Sequence, residues 1–276
     1  MRNVPGHFVK NMSSWRRIAP IVWSRPGDPS IYGIIDADIT SALLYLQRLE
    51  AETGLKLTLT HLVTRAIALT FQRHPECNAY VRWGRIYQRR DVDLFVLVAT
   101  DTDNTRGAAD LTGVRLAKAD TRTVVSIARE VQQRAGAVRA GKDDDIGPLK
   151  TALRRLPYPL ARLGLMVSSA LQYGLNIDLS GFGLARDTYG GAIISSMGMF
   201  GIKYGFAPLV PAMRLSCLIG VGRAEERAVV VDGAVTVRTI LPLTATLDHR
   251  VIDGYHAGKL AATLTALLSD PEGNGL

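Results

Sequence analysis

Cysteine is scarce: the 276-residue chain has two, Cys77 and Cys217. They stand far apart, with neither Cys-x-x-Cys nor metal-ligand spacing. This argues against a disulfide framework or a thiolate metal site, and it predicts two buried, reduced thiols in a cytoplasmic protein. Long apolar runs are missing as well. The longest uncharged stretch, Leu163 to Ile177, falls short of the roughly 18–20 residues that span a bilayer, and residues 1–20 lack the apolar core of a secretory leader. No membrane span and no secretion signal are expected. Repeats and low-complexity tracts are absent. Acidic residues are in the minority, 25 against 33 Lys and Arg, for a formal charge of +8. That balance suits an anionic partner, but the basic residues are spread out. The short runs Arg16-Arg17, Arg89-Arg90 and Arg154-Arg155 are too small for a nucleic-acid tail, so no nucleic acid is expected.

What is present is material for a sizeable core, with 47% hydrophobic residues. Near the C-terminus, Thr244 and Thr246 alternate with Leu243, Ala245 and Leu247, the period of a half-buried strand. The polar cluster Asp248-His249-Arg250 follows, Asp253-Gly254 breaks the strand, and Asp253 can cap the helix predicted from Tyr255 through Leu268. His249 is thus held between a strand end and a helix start. An imidazole titrating near neutrality suits general-base work; the residues alone equally allow a polar side chain that merely closes a strand.

Upstream, Ile31–Ala37 reads as a strand. A helix follows from Asp38 or Thr40 through about Glu52, stopped by Gly54, and a second begins at Thr58 or Thr60 and ends at His74-Pro75. A hairpin, Ala79–Arg82 with Arg85–Gln88, turns at Trp83-Gly84 and leads into a buried strand at 94–99. Val114–Ala117 reads as a strand, and Thr123 opens a helix towards Ala140. A second hairpin, Ala228–Val231 with Ala234–Val237, turns at Asp232-Gly233. His61 reads as structural, His74 as closing its helix, and His7 as lying in a mobile end. Between Gly141 and Gly190, Leu149, Leu153, Leu156, Leu160, Leu163 and Val167 recur at helical intervals, interrupted by Pro157 and Pro159. Two helical pieces are predicted, with Lys150, Arg154, Arg155 and Arg162 on the polar side. The stripe is expected to cover the domain's own core or a subunit contact; contact of 148–176 with a membrane surface is the less favoured reading. Gly181-Phe182-Gly183 lacks the third glycine of a dinucleotide fingerprint and reads as a loop.

Three motifs carry a family resemblance. Asp248-His249-Arg250-Val251-Ile252-Asp253-Gly254, followed by an apolar helix ending LLSDPE, resembles the end of the catalytic domain of dihydrolipoamide acyltransferases, and it is also similar to chloramphenicol acetyltransferase. HPECNAYVRWGRIYQRRDVDLFVLVATD resembles that family's HPELNA…DVDIGVAVATPDG. Gly190 through Gly201, GGAIISSMGMFG, resembles GGTFTISNLGMFG. The resemblance covers about residues 15–140 and 190–272. It departs from the family at Asn104–Leu111, where an acyl-channel strand belongs, and in the insertion at about 141–190.

The resemblance implies an α+β fold, a two-layer mixed sheet with helices of the chloramphenicol acetyltransferase type, in a single catalytic domain over 1–276. It implies a CoA-dependent acyltransferase in which His249 is the general base, Ser195 stabilises the oxyanion and Asp253 orients the site through an arginine; Arg16 and Arg17 resemble weakly the family's arginine-bearing opening. Ser195 is not in a Gly-x-Ser-x-Gly elbow, which argues against a hydrolase nucleophile. CoA or acyl-CoA is expected as a substrate, with no covalent lipoyl group on this chain and no residue assignable to CoA binding. No metal is expected, because His249 and His256 stand seven apart without a completing cluster. A homotrimer with intersubunit sites is implied, with a lipoyl domain on another chain as a candidate partner. Two rival readings remain: an inactive scaffold of the same fold, and an acetyltransferase acting on a small hydroxyl or amine.

Overall fold

Strand β10, Ala234–Asp248, is the longest element of sheet in a computed structural model that describes residues 3–10, 28–99, 111–139, 156–182 and 184–276. It pairs antiparallel with three strands: β2 (Ser30–Asp38), β8 (Cys217–Val221) and β9 (Glu225–Val231). Beyond β8 the sheet continues through β7 (Ala192–Ser196) and β5 (Leu94–Ala99), both pairings parallel, and ends antiparallel at β6 (Leu111–Leu116). The order is β2-β10-β8-β7-β5-β6, with β9 off the path. A smaller sheet has the order β1-β4-β3, from Gly6–Phe8, Arg85–Arg89 and Ala79–Arg82.

The period-2 pattern sorts side chains to two faces. Leu241, Leu243 and Leu247 of β10, Cys217, Ile219 and Val221 of β8, and Ala192 and Ile194 of β7 share one cluster with the helices. Those helices are α1 (Thr40–Thr53), α2 (Leu59–Arg73), α3 (Val124–Arg139) and α5 (Gly254–Ser269). Helix α2 is buried on nearly every side, with Leu62, Ala66, Leu69 and Phe71 among ten buried residues, which is why its sequence is apolar beyond a single stripe. On the other face, Ile193, Leu218, Phe95 and Leu215 form a second cluster under Leu97, Leu209 and Met213.

Local chemistry sets the boundaries. Gly54 closes α1 at φ 65°, and Thr58 caps α2, its hydroxyl accepting from the His61 amide while the His61 Nδ1 accepts from the Thr58 amide. The two hairpins turn at Trp83-Gly84 and Asp232-Gly233, all at positive φ, the geometry that matches the twist of paired strands.

Two expectations change. His7 lies in β1, paired with Gln88 across the small sheet, and is not in a loose end. The second expected helical piece is α4 (Tyr158–Ser169), with Pro157 as its N-cap and Pro159 in its first turn, where a missing amide costs nothing. The stripe Leu156, Leu160, Leu163 and Val167 does not cover this chain's core. With Met166 it is 44–61% exposed, whereas Ala161 and Leu165 are the half-buried side. The first expected helical piece, Arg16, Arg17, Asn104 and Gly183 lie outside the described residues.

Candidate active site

The end of β10 is fixed by an ion pair. Asp248 is buried and takes Arg250 in a fork, Nε to Oδ1 at 2.9 Å and Nη2 to Oδ2 at 2.7 Å, while the Arg250 amide also donates to Oδ1. A bidentate guanidinium–carboxylate pair is among the stiffer side-chain contacts. The Asp248 amide donates to the Ser216 carbonyl, and the His249 amide to the Pro29 carbonyl. The turn that carries His249 is therefore held from both neighbouring strands, by two residues that along the chain read only as a polar cluster.

His249 is half-buried, and its Nδ1 stands 3.1 Å from the Ile252 carbonyl oxygen. A carbonyl can only accept, so Nδ1 carries the proton in the neutral ring and Nε2 carries the lone pair. A proton acceptor on a ring of fixed orientation is the arrangement that general-base chemistry requires.

Asp253 caps α5, accepting from the His256 amide at 3.0 Å, and its Oδ1 lies 2.5 Å from the His256 Nδ1. It thus ties the helix start to the turn. The arginine expected beside it, Arg16 or Arg17, lies outside the described residues.

Ser195 is half-buried on β7, on the face turned away from the helices, since Ile194 belongs to the helix-side cluster and Ile193 to the opposite one. Its register places it beside Gly220, and Gly220 beside Thr244. Gly220 is small of necessity: an added Cβ would stand 2.4 Å from the Thr244 hydroxyl and 2.2 Å from the Met197 methyl. His249 lies five residues along β10 from Thr244, which at about 3.4 Å per residue is about 17 Å along the strand, and two strands sideways. One chain therefore does not bring Ser195 to His249.

A buried polar network lies behind the site. The Arg89 Nε donates to Asp187 at 2.9 Å, the Tyr173 hydroxyl donates to Asp187 at 3.2 Å, and the Arg89 Nη2 reaches the Arg214 carbonyl at 3.1 Å. Burial raises the Tyr173 pKa, with the nearby Asp187 charge adding to it. Burial, and then Cys77, pushes the Cys217 thiol up, which disfavours its thiolate; Cys77 is buried as well. His61 is lowered to about 4 by burial and serves the cap of α2. An apolar cavity of about 260 Å³ lies between the sheet and helices α2 and α5, lined by Gly33, Phe71, Leu243 and Gly258 among others. It holds no titratable group beyond Cys217 and is a packing feature. Among the described residues no helix is long and apolar enough to cross a membrane, and no three His, Cys, Asp or Glu cluster as metal ligands.

Comparison with known proteins shows the family and the fold. The family model for the 2-oxoacid dehydrogenases acyltransferase (catalytic domain) matches residues 18–145 and 185–276, leaving 1–17 and 146–184 unmatched. The dihydrolipoyllysine-residue acetyltransferase component of the Zymomonas mobilis pyruvate dehydrogenase complex is 23% identical over 278 residues, 98% of this chain and 52% of that protein. The corresponding component of the Bacillus subtilis acetoin cleaving system is 26% identical over 239 residues, 85% of this chain and 48% of that protein. The chain spans about half the length of these curated relatives. Among solved structures, the cubic core of the pyruvate dehydrogenase multienzyme complex superposes with TM-score 0.65 at 20% identity, covering 97% of this chain and 94% of that one. Chloramphenicol acetyltransferase superposes with TM-score 0.57 at 13% identity, covering 96% and 100%. At such identities the superpositions show a shared fold. Because the family model spans the strand that bears Ser195 as well as the turn that bears His249, the chain belongs to the 2-oxoacid dehydrogenase acyltransferase catalytic-domain family.

Proposed function

We propose that the chain is a CoA-dependent acyltransferase that exchanges an acyl group between CoA and the thiol of a dihydrolipoyl group. The observation that carries this reading is the His249 ring, its Nδ1 proton bound to the Ile252 carbonyl and its Nε2 left as the base. Nε2 takes the proton of the attacking thiol, the thiolate adds to the thioester carbonyl, and the carbonyl oxygen becomes an oxyanion. Ser195 donates to that oxyanion. The tetrahedral carbon then expels the other sulfur, which recovers the proton from the imidazolium. The residues investigated for the mechanism of Azotobacter vinelandii dihydrolipoamide acetyltransferase include a serine and a histidine, which supports this pair of roles.

Since Ser195 is about 17 Å along the strand from His249 in one chain, we assign the two roles to neighbouring copies in a homotrimer. The outward apolar side chains of α4, and those of Met199, Phe200 and Phe206, supply surface that such a contact can cover. Asp253 holds the start of α5 and with it the far side of the turn. A lipoyl domain on another chain would bring the acceptor thiol, and the two buried thiols fit a reducing cytoplasm.

The test is release of free CoA thiol from acetyl-CoA with and without dihydrolipoamide. Acceptor-dependent release that disappears in His249→Ala, while circular dichroism stays unchanged, is the expected result. No release from the wild type, or release indifferent to His249, would show that the domain is a scaffold of this fold.

A further inference from the structure

Arg214 stands where a bulky side chain is poorly accommodated. It lies in the turn that leads into β8, at φ 53°, the left-handed region that residues with a Cβ seldom adopt. Its carbonyl is held by the Arg89 Nη2, and Arg89 is itself locked by Asp187, so the surrounding structure fixes this backbone. The Asp248 amide bonds to the Ser216 carbonyl. Arg214 is two residues from Ser216 and Arg250 two residues from Asp248, so both arginines stand at the same end of adjacent strands, beside the turn that bears His249.

The two differ in what neutralises them. Arg250 has both Asp248 oxygens. Arg214 has no carboxylate within ion-pair distance among the described residues, and its Nε is buried without a hydrogen-bond partner. Of the other arginines whose Nε is buried without a hydrogen bond, Arg65 and Arg115 bond a carbonyl or carboxylate through another nitrogen, and the Arg238 Nε stands 3.8 Å from the Asp38 carboxylate. Burial lowers the Arg214 pKa and the Arg250 charge lowers it further, against a smaller opposing effect of Tyr173 and of Asp248, whose two oxygens are already taken by Arg250. A cation kept part-buried beside another cation, on a backbone that disfavours it, is retained for an anion that arrives from outside.

Building on the acyl-transfer reading, we propose that Arg214 is a specificity-determining residue that binds a carboxylate on the substrate's acyl chain while His249 acts at the thiol. An acyl chain begins at the reacting carbonyl, so its far end lies near His249. The phosphates of CoA are separated from that carbonyl by the whole pantetheine arm. Arg214, beside the turn that bears His249, is placed for the former.

The experiment compares succinyl-CoA with butyryl-CoA, four-carbon donors with and without a terminal carboxylate, using dihydrolipoamide as acceptor. The wild type should favour succinyl-CoA in kcat/KM by roughly tenfold or more, the discrimination expected of a site built to pair a polar group. In Arg214→Met that preference should vanish through a higher KM for succinyl-CoA, with butyryl-CoA turnover changed by less than about threefold. Arg214→Lys should keep part of the preference. A wild type that favours butyryl-CoA or does not discriminate overturns the proposal without requiring any variant to fold. Equal losses for both donors in Arg214→Met overturn it too, pointing to a phosphate contact or a structural role. Absence of transfer from either donor would instead overturn the acyltransferase reading itself.

Discussion

Two histidines in this chain show how environment decides what an imidazole does. His61 is buried at the start of α2 with its Nδ1 accepting from the Thr58 amide, and desolvation takes its pKa to about 4 from the ordinary 6.5. The unfolded chain therefore takes up the proton first, so His61 weakens the fold as pH falls from about 6.5 towards 4, by about 3 kcal/mol in all at 1.36 kcal/mol per unit. Urea midpoints at pH 7 and pH 5 should separate more in the wild type than in His61→Gln, which keeps a capping acceptor at the same place. His249 is instead half-buried, with one nitrogen committed to a carbonyl. If Ser195 is the oxyanion donor, Ser195→Ala should fold normally and lose about 10²–10³ in kcat, with KM little changed. Stopped-flow single turnovers would show whether that loss falls on the chemical step.

At the level of helices and strands, most of the secondary structure was legible because local chemistry and tertiary position agree. Thr58, Gly54, Trp83-Gly84 and Asp232-Gly233 mark boundaries by the dihedral angles and hydrogen bonds that their own side chains favour. The insertion was legible as helix but not as surface. Periodicity finds the apolar stripe of α4, whereas only the packing shows that this stripe faces outward. Helix α5 offers a direct test of how element and core are matched. Gly258 sits inside it beside the apolar cavity, and a Cβ added there would meet no atom within 4 Å. Gly258→Ala should therefore stabilise the fold by about 1 kcal/mol from helix propensity and raise Tm by about 2–4 °C, measured by calorimetry.

The molecule as a whole raises the question of where one active site is assembled. If His249 and Ser195 meet across subunits, His249→Ala and Ser195→Ala chains, each inactive alone, should regain activity when unfolded together and refolded as mixed trimers. Random mixing at equal amounts leaves about a quarter of the sites with both residues intact in a cyclic assembly. A site built within one chain would regain none. Analytical ultracentrifugation of the mixture checks that the refolded chains assemble.

Residues close along the chain were enough to specify the strand–turn–helix at residues 243–268, the hairpins, the buried thiols and the three motifs. His249, Asp253 and Ser195 were identifiable there as side chains of the right chemistry in recognisable contexts. Folding in three dimensions supplied the rest. It made Asp248–Arg250 a lock on the turn that bears His249, placed Ser195 on the sheet face away from the helices, and set it five residues out of register with His249. It also brought Arg89, Asp187 and Tyr173, distant in sequence, into one buried network behind Arg214. Strand register and ion pairing join residues through the order of strands in the sheet, and that order is fixed by long-range packing that periodicity along the chain does not encode.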